Sequence, residues 1–261
     1  MTSLRIFAVG GLISFRALFH WLAPSIYIPS LIVAPIFQIL LFAYIGRSAG
    51  LASDEFYVVG NAIQYAAIPC LFAMTNIVGG EKFQQTLGAI LVSPAPRLPL
   101  FFGRAVPVVV NGAFVAAFAL LAGSLVLGVH IPASAIPSLA LVILVAAFSC
   151  TGLGLITAAL ALRVRETAVL TNILFGFLLI FTGANIPLAD LPGWMQNVSD
   201  VLPFTHAIAA ARELVDGASL ASVLDLIGEE LLIGLVYAIL GYLLLRFFEV
   251  QGRRHATLDR S

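Results

Sequence analysis

The sequence predicts an all-α membrane protein with six transmembrane helices, and three observations predict it. Of the 261 residues, 61% are hydrophobic and only 10% are charged, where an ordinary soluble domain is about a quarter charged. Mean hydropathy is +1.07. The apolar residues are also gathered into six runs of spanning or near-spanning length, each about 20 residues for a hydrocarbon core of about 30 Å. A fold of this size cannot hide so much apolar surface from water. Lipid must be its solvent, and a water-soluble enzyme is excluded.

In chain order, the stretch Leu4–Trp21 comes first. It carries Arg5, Arg16 and His20 and is too polar to span. It reads either as an amphipathic helix at the cytoplasmic interface, over residues 1–21, or as an extension of the first span. The spans then follow at Ile26–Ile45, Phe56–Val78, Leu98–Leu127, Ile136–Leu162, Ala168–Thr182 and Glu230–Phe248. Each must be helical, because lipid offers no partner to an unpaired backbone group. The fifth run is short and Gly183 to Pro187 follow it, so the chain is expected to bend there before leaving the membrane. Pro24, Pro29, Pro35, Pro69 and Pro107 fall within or beside spans, where they kink or interrupt helices. Residues 183–224 form the longest piece that does not span, and the whole chain reads as one transmembrane domain.

Charge sets the orientation. With both termini on one side, eleven of the thirteen basic residues lie on that side and only Arg47 and Arg212 on the other. Short-loop Lys and Arg stay in the cytoplasm, so both termini are expected there; the expected location is the inner (cytoplasmic) membrane of a bacterium, a reading that the charges themselves do not supply.

Other classes are excluded by what the chain lacks. Thirteen basic residues balance thirteen acidic ones, which does not suit nucleic acid. Cys70 and Cys150 both sit in apolar runs and read as small core residues, and no metal site is expected. No removable signal peptide is apparent. A secondary transporter or channel would suit six spans with broken helices, but no carboxylate is expected in mid-span and no internal repeat is visible. An intramembrane enzyme has no Gly-x-Ser-x-Gly, His-Glu-x-x-His or paired intramembrane Asp to work with, and no catalytic residue is assigned.

Two segments carry more information. Between the second and third spans runs Gly79-Gly80-Glu81-Lys82-Phe83-Gln84-Gln85-Thr86-Leu87-Gly88-Ala89-Ile90-Leu91-Val92-Ser93-Pro94. A short helix fits it, with Phe83, Leu87, Ile90 and Leu91 on one side, and so does a plain interfacial connector. After the fifth span come Ile186-Pro187-Leu188, Leu191-Pro192-Gly193-Trp194, Pro203-Phe204-Thr205-His206 and then Arg212. Here Trp194 is an interfacial aromatic, Thr205 to Leu214 reads as a short helix, and the irregular parts must pack on protein if they lie at membrane depth. His206 reads as capping or packing that helix.

Together these segments resemble the permease subunit of the ABC type-2 transporter family. The first resembles the family's charged pair, Gly-Thr-Leu, paired apolar residues and Ser/Thr-Pro, through Glu81-Lys82, Thr86-Leu87 and Leu91-Val92-Ser93-Pro94, with Gln85 where the family usually has Gly. The second resembles its Pro-Leu, Leu-Pro-Gly-Trp, Pro-Phe/Leu-Thr-His and Arg pattern.

The resemblance implies a transport subunit, not an enzyme. It would pair with a second copy of itself or a homologous permease, and with a separate ABC ATPase subunit that holds ATP and Mg. No Gly-x-x-x-x-Gly-Lys-Ser/Thr loop is present here, so this chain needs no cofactor. Glu81, Lys82, Gln85, Thr86, Leu87 and Leu91 would form the coupling helix against that ATPase. Arg163, Arg165 and Glu166 would form a second contact or simply anchor the cytoplasmic end of a span. The route would run between protomers. Its candidate lining is Asn61, Gln64, Tyr65 and Asn76 of the second span, and Thr171, Asn172, Phe175, Thr182 and Asn185 of the fifth and its exit. For each, a hydrogen bond to a neighbouring helix is the competing reading. Pro187, Leu191, Pro192, Trp194, Pro203 and His206 would build a re-entrant outer segment. The cargo expected is an amphipathic drug, antibiotic or lipid-like molecule moved outward, with a polysaccharide or glycolipid as the alternative.

Overall fold

A computed structural model describes residues 7, 9–12, 24–76, 97–164 and 166–255, and no strand occurs among them. We label the principal helices α1 (Ala34–Ala49), α2 (Asp54–Gln64), α3 (Arg97–Leu127), α4 (Ile136–Ala161), α5 (Thr167–Phe181), α6 (Gly193–Ser199), α7 (Thr205–Val215) and α8 (Leu224–His255). Five helical stretches of the described residues are long and apolar enough to cross a membrane: Ile28–Ala49, Asp54–Asn76, Phe102–Leu127, Ala133–Ala161 and Leu220–Gln251. Helix α5 is apolar but has 15 residues, or about 22 Å at 1.5 Å per residue.

Local chemistry explains the helix ends. Gly50 and Gly128 end α1 and α3 in the left-handed conformation, at φ 64° and 71°. Ser53 caps α2 by accepting the Phe56 N–H at 3.2 Å, and Asp54 and Glu55 occupy its first turn. Arg47 at the end of α1 pairs with Asp54, tying these two helices together at one end of the bundle.

The prolines act in three ways. Pro29 and Pro69 sit in single π-helical turns, Ile28–Val33 and Ile68–Phe72. The helix before the second turn is already broken at Tyr65, whose carbonyl is the one the ring of Pro69 would clash with. Pro35 sits harmlessly in the first turn of α1. Pro107, expected to interrupt its helix, does not: α3 runs unbroken through it. Pro107 cannot donate to the Gly103 carbonyl, and that carbonyl instead faces Gly11, where an added Cβ would lie 3.0 Å away. Residues 7 and 9–12 are helical and cross α3 here. The rest of the expected interfacial segment lies outside the described residues.

The second stretch is the centre of the bundle and the first and last are its periphery: most of Asp54–Asn76 is buried, but only a minority of Ile28–Ala49 and of Leu220–Gln251. The broadest packing is between α4 and α8. Backbone meets backbone there, since a Cβ on Gly152 would lie 2.7 Å from the Gly234 carbonyl and one on Gly241 2.9 Å from Leu155. Small residues give membrane helices this closeness, and dispersion then supplies what water does not. The other end of the bundle is marked by Arg163, which donates to the Gln251 side chain and lies 5.3 Å from the centre of the Phe248 ring.

Candidate functional site

Directly after α5 the chain leaves helical geometry. Gly183 takes φ 75° and the backbone runs irregularly to Pro187. Thr182, Gly183 and Ala184 are nevertheless buried, so their carbonyls need partners inside the protein. Arg212, in the last turn of α7, supplies those of Gly183 and Ala184. Its Nη2 donates to Gly183 O at 2.9 Å, to Phe56 O at 3.1 Å and more weakly to Ala184 O at 3.4 Å. Its guanidinium carbon also lies 3.6 Å from the centre of the Phe56 ring, within cation–π range. Burial pulls the pKa of Arg212 down to about 10, which leaves it charged at neutral pH. Gly60 makes the approach possible: a Cβ there would lie 2.7 Å from this nitrogen and 2.6 Å from Ala184 O.

One turn along α2, Asn61 links three parts of the chain. Its amide nitrogen donates to Asn185 Oδ1 at 2.9 Å and to Tyr57 O at 3.0 Å, and its oxygen accepts from Gln38 of α1 at 3.0 Å. Asn185 donates in turn to Leu179 O at 3.1 Å. Of the predicted lining, the structure therefore brings Asn61 and Asn185 together and adds Gln38, which the sequence reading missed. The signal was a lone amide in an otherwise apolar first span.

The remaining lining candidates do not converge. Tyr65 donates to Ser30 O at 3.0 Å, and Gln64 is fully buried with neither amide atom hydrogen-bonded. Thr171, Asn172 and Thr182 bond carbonyls one turn back in their own helix, at 2.9, 2.9 and 2.7 Å. Asn172 is exposed beside Val169 and Ile173, while Asn76 and Phe175 are half-buried.

In the outer segment, Pro187 leads into a 3-10 turn at Leu188–Asp190, and Pro192 precedes α6. Leu191 and Pro203 are buried, Pro192 is exposed, and Trp194 is 64% exposed, its ring 6.2 Å from that of Phe181 in an edge-type contact. His206 Nδ1 lies 3.0 Å from Glu229 and its Nε2 lies 2.9 Å from Asp200 O, which ties α7 to α8. No group of three or more His, Cys, Asp or Glu able to hold a metal occurs among the described residues. Of the expected ATPase contacts, Glu81, Lys82, Gln85, Thr86, Leu87, Leu91 and Arg165 lie outside the described residues, and Arg163 and Glu166 are exposed.

Two expectations about acids are corrected. Glu230, expected at the edge of the last span, is fully buried, and it lies within the spanning stretch Leu220–Gln251, where no buried carboxylate was expected. Helix α8 starts at Leu224, six residues earlier, because a 3-10 turn at Leu220–Val223 already carries the chain into it. The Glu230 carboxylate accepts the backbone N–H of Phe204 at 2.8 Å and of Ala207 at 3.2 Å. The apolar residues on both sides of Glu229–Glu230 were the available signal. The partners, 26 and 23 residues away, were not readable.

A half-buried arginine that satisfies irregular backbone, an amide bridge between spans and a carboxylate holding a short outer helix make a fixed polar framework in an apolar bundle. The sequence that builds it is similar to that of known transport subunits. The family described as ABC-2 type transporter matches residues 12–215. Among curated proteins, a probable multidrug ABC transporter permease, YbhR, of Escherichia coli strain K12 is 26% identical over 167 residues, covering 58% of this chain and 44% of that protein. Its counterpart in E. coli O157:H7 matches equally. The chain thus spans less than half the length of the curated relatives it matches. With most of its length matched to one transporter family and its helices long and apolar enough to cross a membrane repeatedly, the chain is a multi-pass membrane permease and belongs to the ABC-2 type transporter family.

Proposed function

We propose that the chain is the permease of an ATP-driven exporter that moves an amphipathic drug, antibiotic or lipid-like molecule out of a bacterial cell. It works as a dimer, and a separate ATPase subunit binds ATP and Mg. The observation that carries this reading is the family match over residues 12–215. The multidrug permease among its relatives supports the choice of cargo. In this reading α5 is a sixth, short span, the termini face the cytoplasm, and residues 183–224 re-enter the outer leaflet. The buried irregular backbone after α5 supports the last point, since such backbone survives at membrane depth only when packed on protein. Glu81 to Leu91 form the coupling helix. The route runs between protomers past α5, whose Val169, Ile173, Phe177 and Ile180 form an exposed apolar face.

Co-expression with a candidate ABC ATPase tests this reading. The two proteins co-purify, and vesicles containing both accumulate a fluorescent amphipathic dye only when ATP is present. Reversing both charges, Glu81→Lys with Lys82→Glu, lowers co-purification and ATP-driven uptake at least ten-fold while leaving the permease folded. Undiminished coupling in that variant removes the assignment of the coupling helix. An ion-gradient dependence without ATP removes the exporter reading.

A further inference from the structure

Helix α7 has 11 residues, too few to be stable alone, yet it is among the most buried elements: Ala207, Ile208, Ala210, Ala211 and Leu214 are each at most 1% exposed. Each end is fixed to a different spanning stretch by a charged side chain. At its start, the N–H groups that no helix can satisfy internally point at the two oxygens of Glu230. At its end, Arg212 reaches the first turn of α2 and the backbone beyond α5. Both charges match the helix dipole, negative at its N-terminus and positive in its last turn.

Two more observations place the load at the Glu230 end. Phe204, immediately before α7, is the only non-glycine residue with positive φ among those described, at 79°, a conformation that costs on the order of 1–3 kcal/mol and persists only where its surroundings enforce it. Two turns along α8, the Tyr237 hydroxyl donates to Val201 O at 3.0 Å, so one face of α8 grips the whole approach to α7.

We propose that α7 is a strut joining the second and the last spans, and that Glu230 is the positioning residue that fixes its inner end during transport. The strut makes these two spans move together at the outer end of the bundle. This rests on the permease reading above. The carboxylate touches no cargo; it acts through the helix it holds.

Hydrogen exchange on the full chain in lipid nanodiscs with its ATPase, read beside dye transported per ATP hydrolysed, tests it. Charge-assisted bonds of this kind hold local opening back by a factor of about ten or more. Glu230→Gln, which keeps the side-chain size, should raise exchange across residues 203–208 by at least about ten-fold, leave 136–160 unchanged, and lower dye per ATP with hydrolysis retained. Glu230→Asp should recover part of both. Should the Gln variant fail to reach the membrane, Tyr237→Phe loosens the same approach, with an expected exchange rise of about three-fold over residues 200–206. Unchanged exchange in these variants overturns the strut, and so does raised exchange with dye per ATP unaltered. An unaltered protein that transports nothing, but whose exchange responds as described, counts against the exporter reading alone.

Discussion

Replacing Arg212 with Gln lowers the stability of the folded bundle by about 2–4 kcal/mol, the expected cost of leaving buried carbonyls without donors. The loss comes from three places at once. Gly183 O and Ala184 O belong to non-helical backbone and have no ladder to fall back on; Phe56 loses its cation; and α7 loses the charge that suits its last turn. Variants separate these contributions. Arg212→Lys keeps the charge but not the flat guanidinium that stacks on a ring and reaches several carbonyls, and recovers about half. Phe56→Leu keeps the carbonyl bonds and costs only about 1 kcal/mol. The native thiols provide the readout: Cys70 and Cys150 are free and fully buried, so a maleimide dye becomes fluorescent only as the bundle opens. A Gln variant that opens at the same temperature as the unaltered chain contradicts this account of the site.

A second large effect is expected where α4 crosses α8. A Cβ on Gly234 would lie 2.8 Å from Ser149 Cα, and one on Gly152 2.7 Å from Gly234 O. The obstacle is backbone in both cases, so neither Gly152→Leu nor Gly234→Leu can be relieved by a rotamer change. Overpacking of this kind costs about 1–3 kcal/mol where side chains give way, and more where they cannot. Both variants are expected to lose most of their folded yield in detergent gel filtration. Gly176→Ala and Gly228→Ala serve as controls, because an added methyl there meets nothing within 4 Å. They should be neutral or gain up to about 1 kcal/mol from helix propensity. Equal yields for all four variants would show that close backbone packing is not what holds α8.

The all-helical fold was legible because lipid leaves a hydrophobic run only one backbone solution. The run read as Ile136–Leu162 appears as α4, bounded by a proline before it and Arg163 after it. The outer motifs were legible as chemistry but not as geometry. Arg212 was named, yet its partners Phe56 and Gly183 lie 156 and 29 residues away, and no local pattern brings a loop carbonyl to a guanidinium. Glu230 was misplaced for the same reason. An acid at the edge of an apolar run looks like a boundary until the helix is seen to begin six residues before it. Lining candidates such as Thr171 and Thr182 show the opposite failure: a hydroxyl inside a span that appears available in sequence is spent on its own helix. The likeness to ABC type-2 permeases, drawn from the two motif segments, agrees with the family match over residues 12–215.

The π-helical turns at Ile28–Val33 and Ile68–Phe72 have a consequence for register. Such a turn holds one residue more than the α-helical count, and each helical residue advances the face by about 100°. Residues 73–76 are therefore rotated by roughly a quarter turn from where an unbroken helix would carry them. Asn61, facing the exit of the fifth helix, and Thr75, bonded to Thr157 of α4 at 2.6 Å, thus take their bearings independently. One span addresses two different neighbours, and a single deleted residue between them would leave a continuous helix pointing its lower half the wrong way.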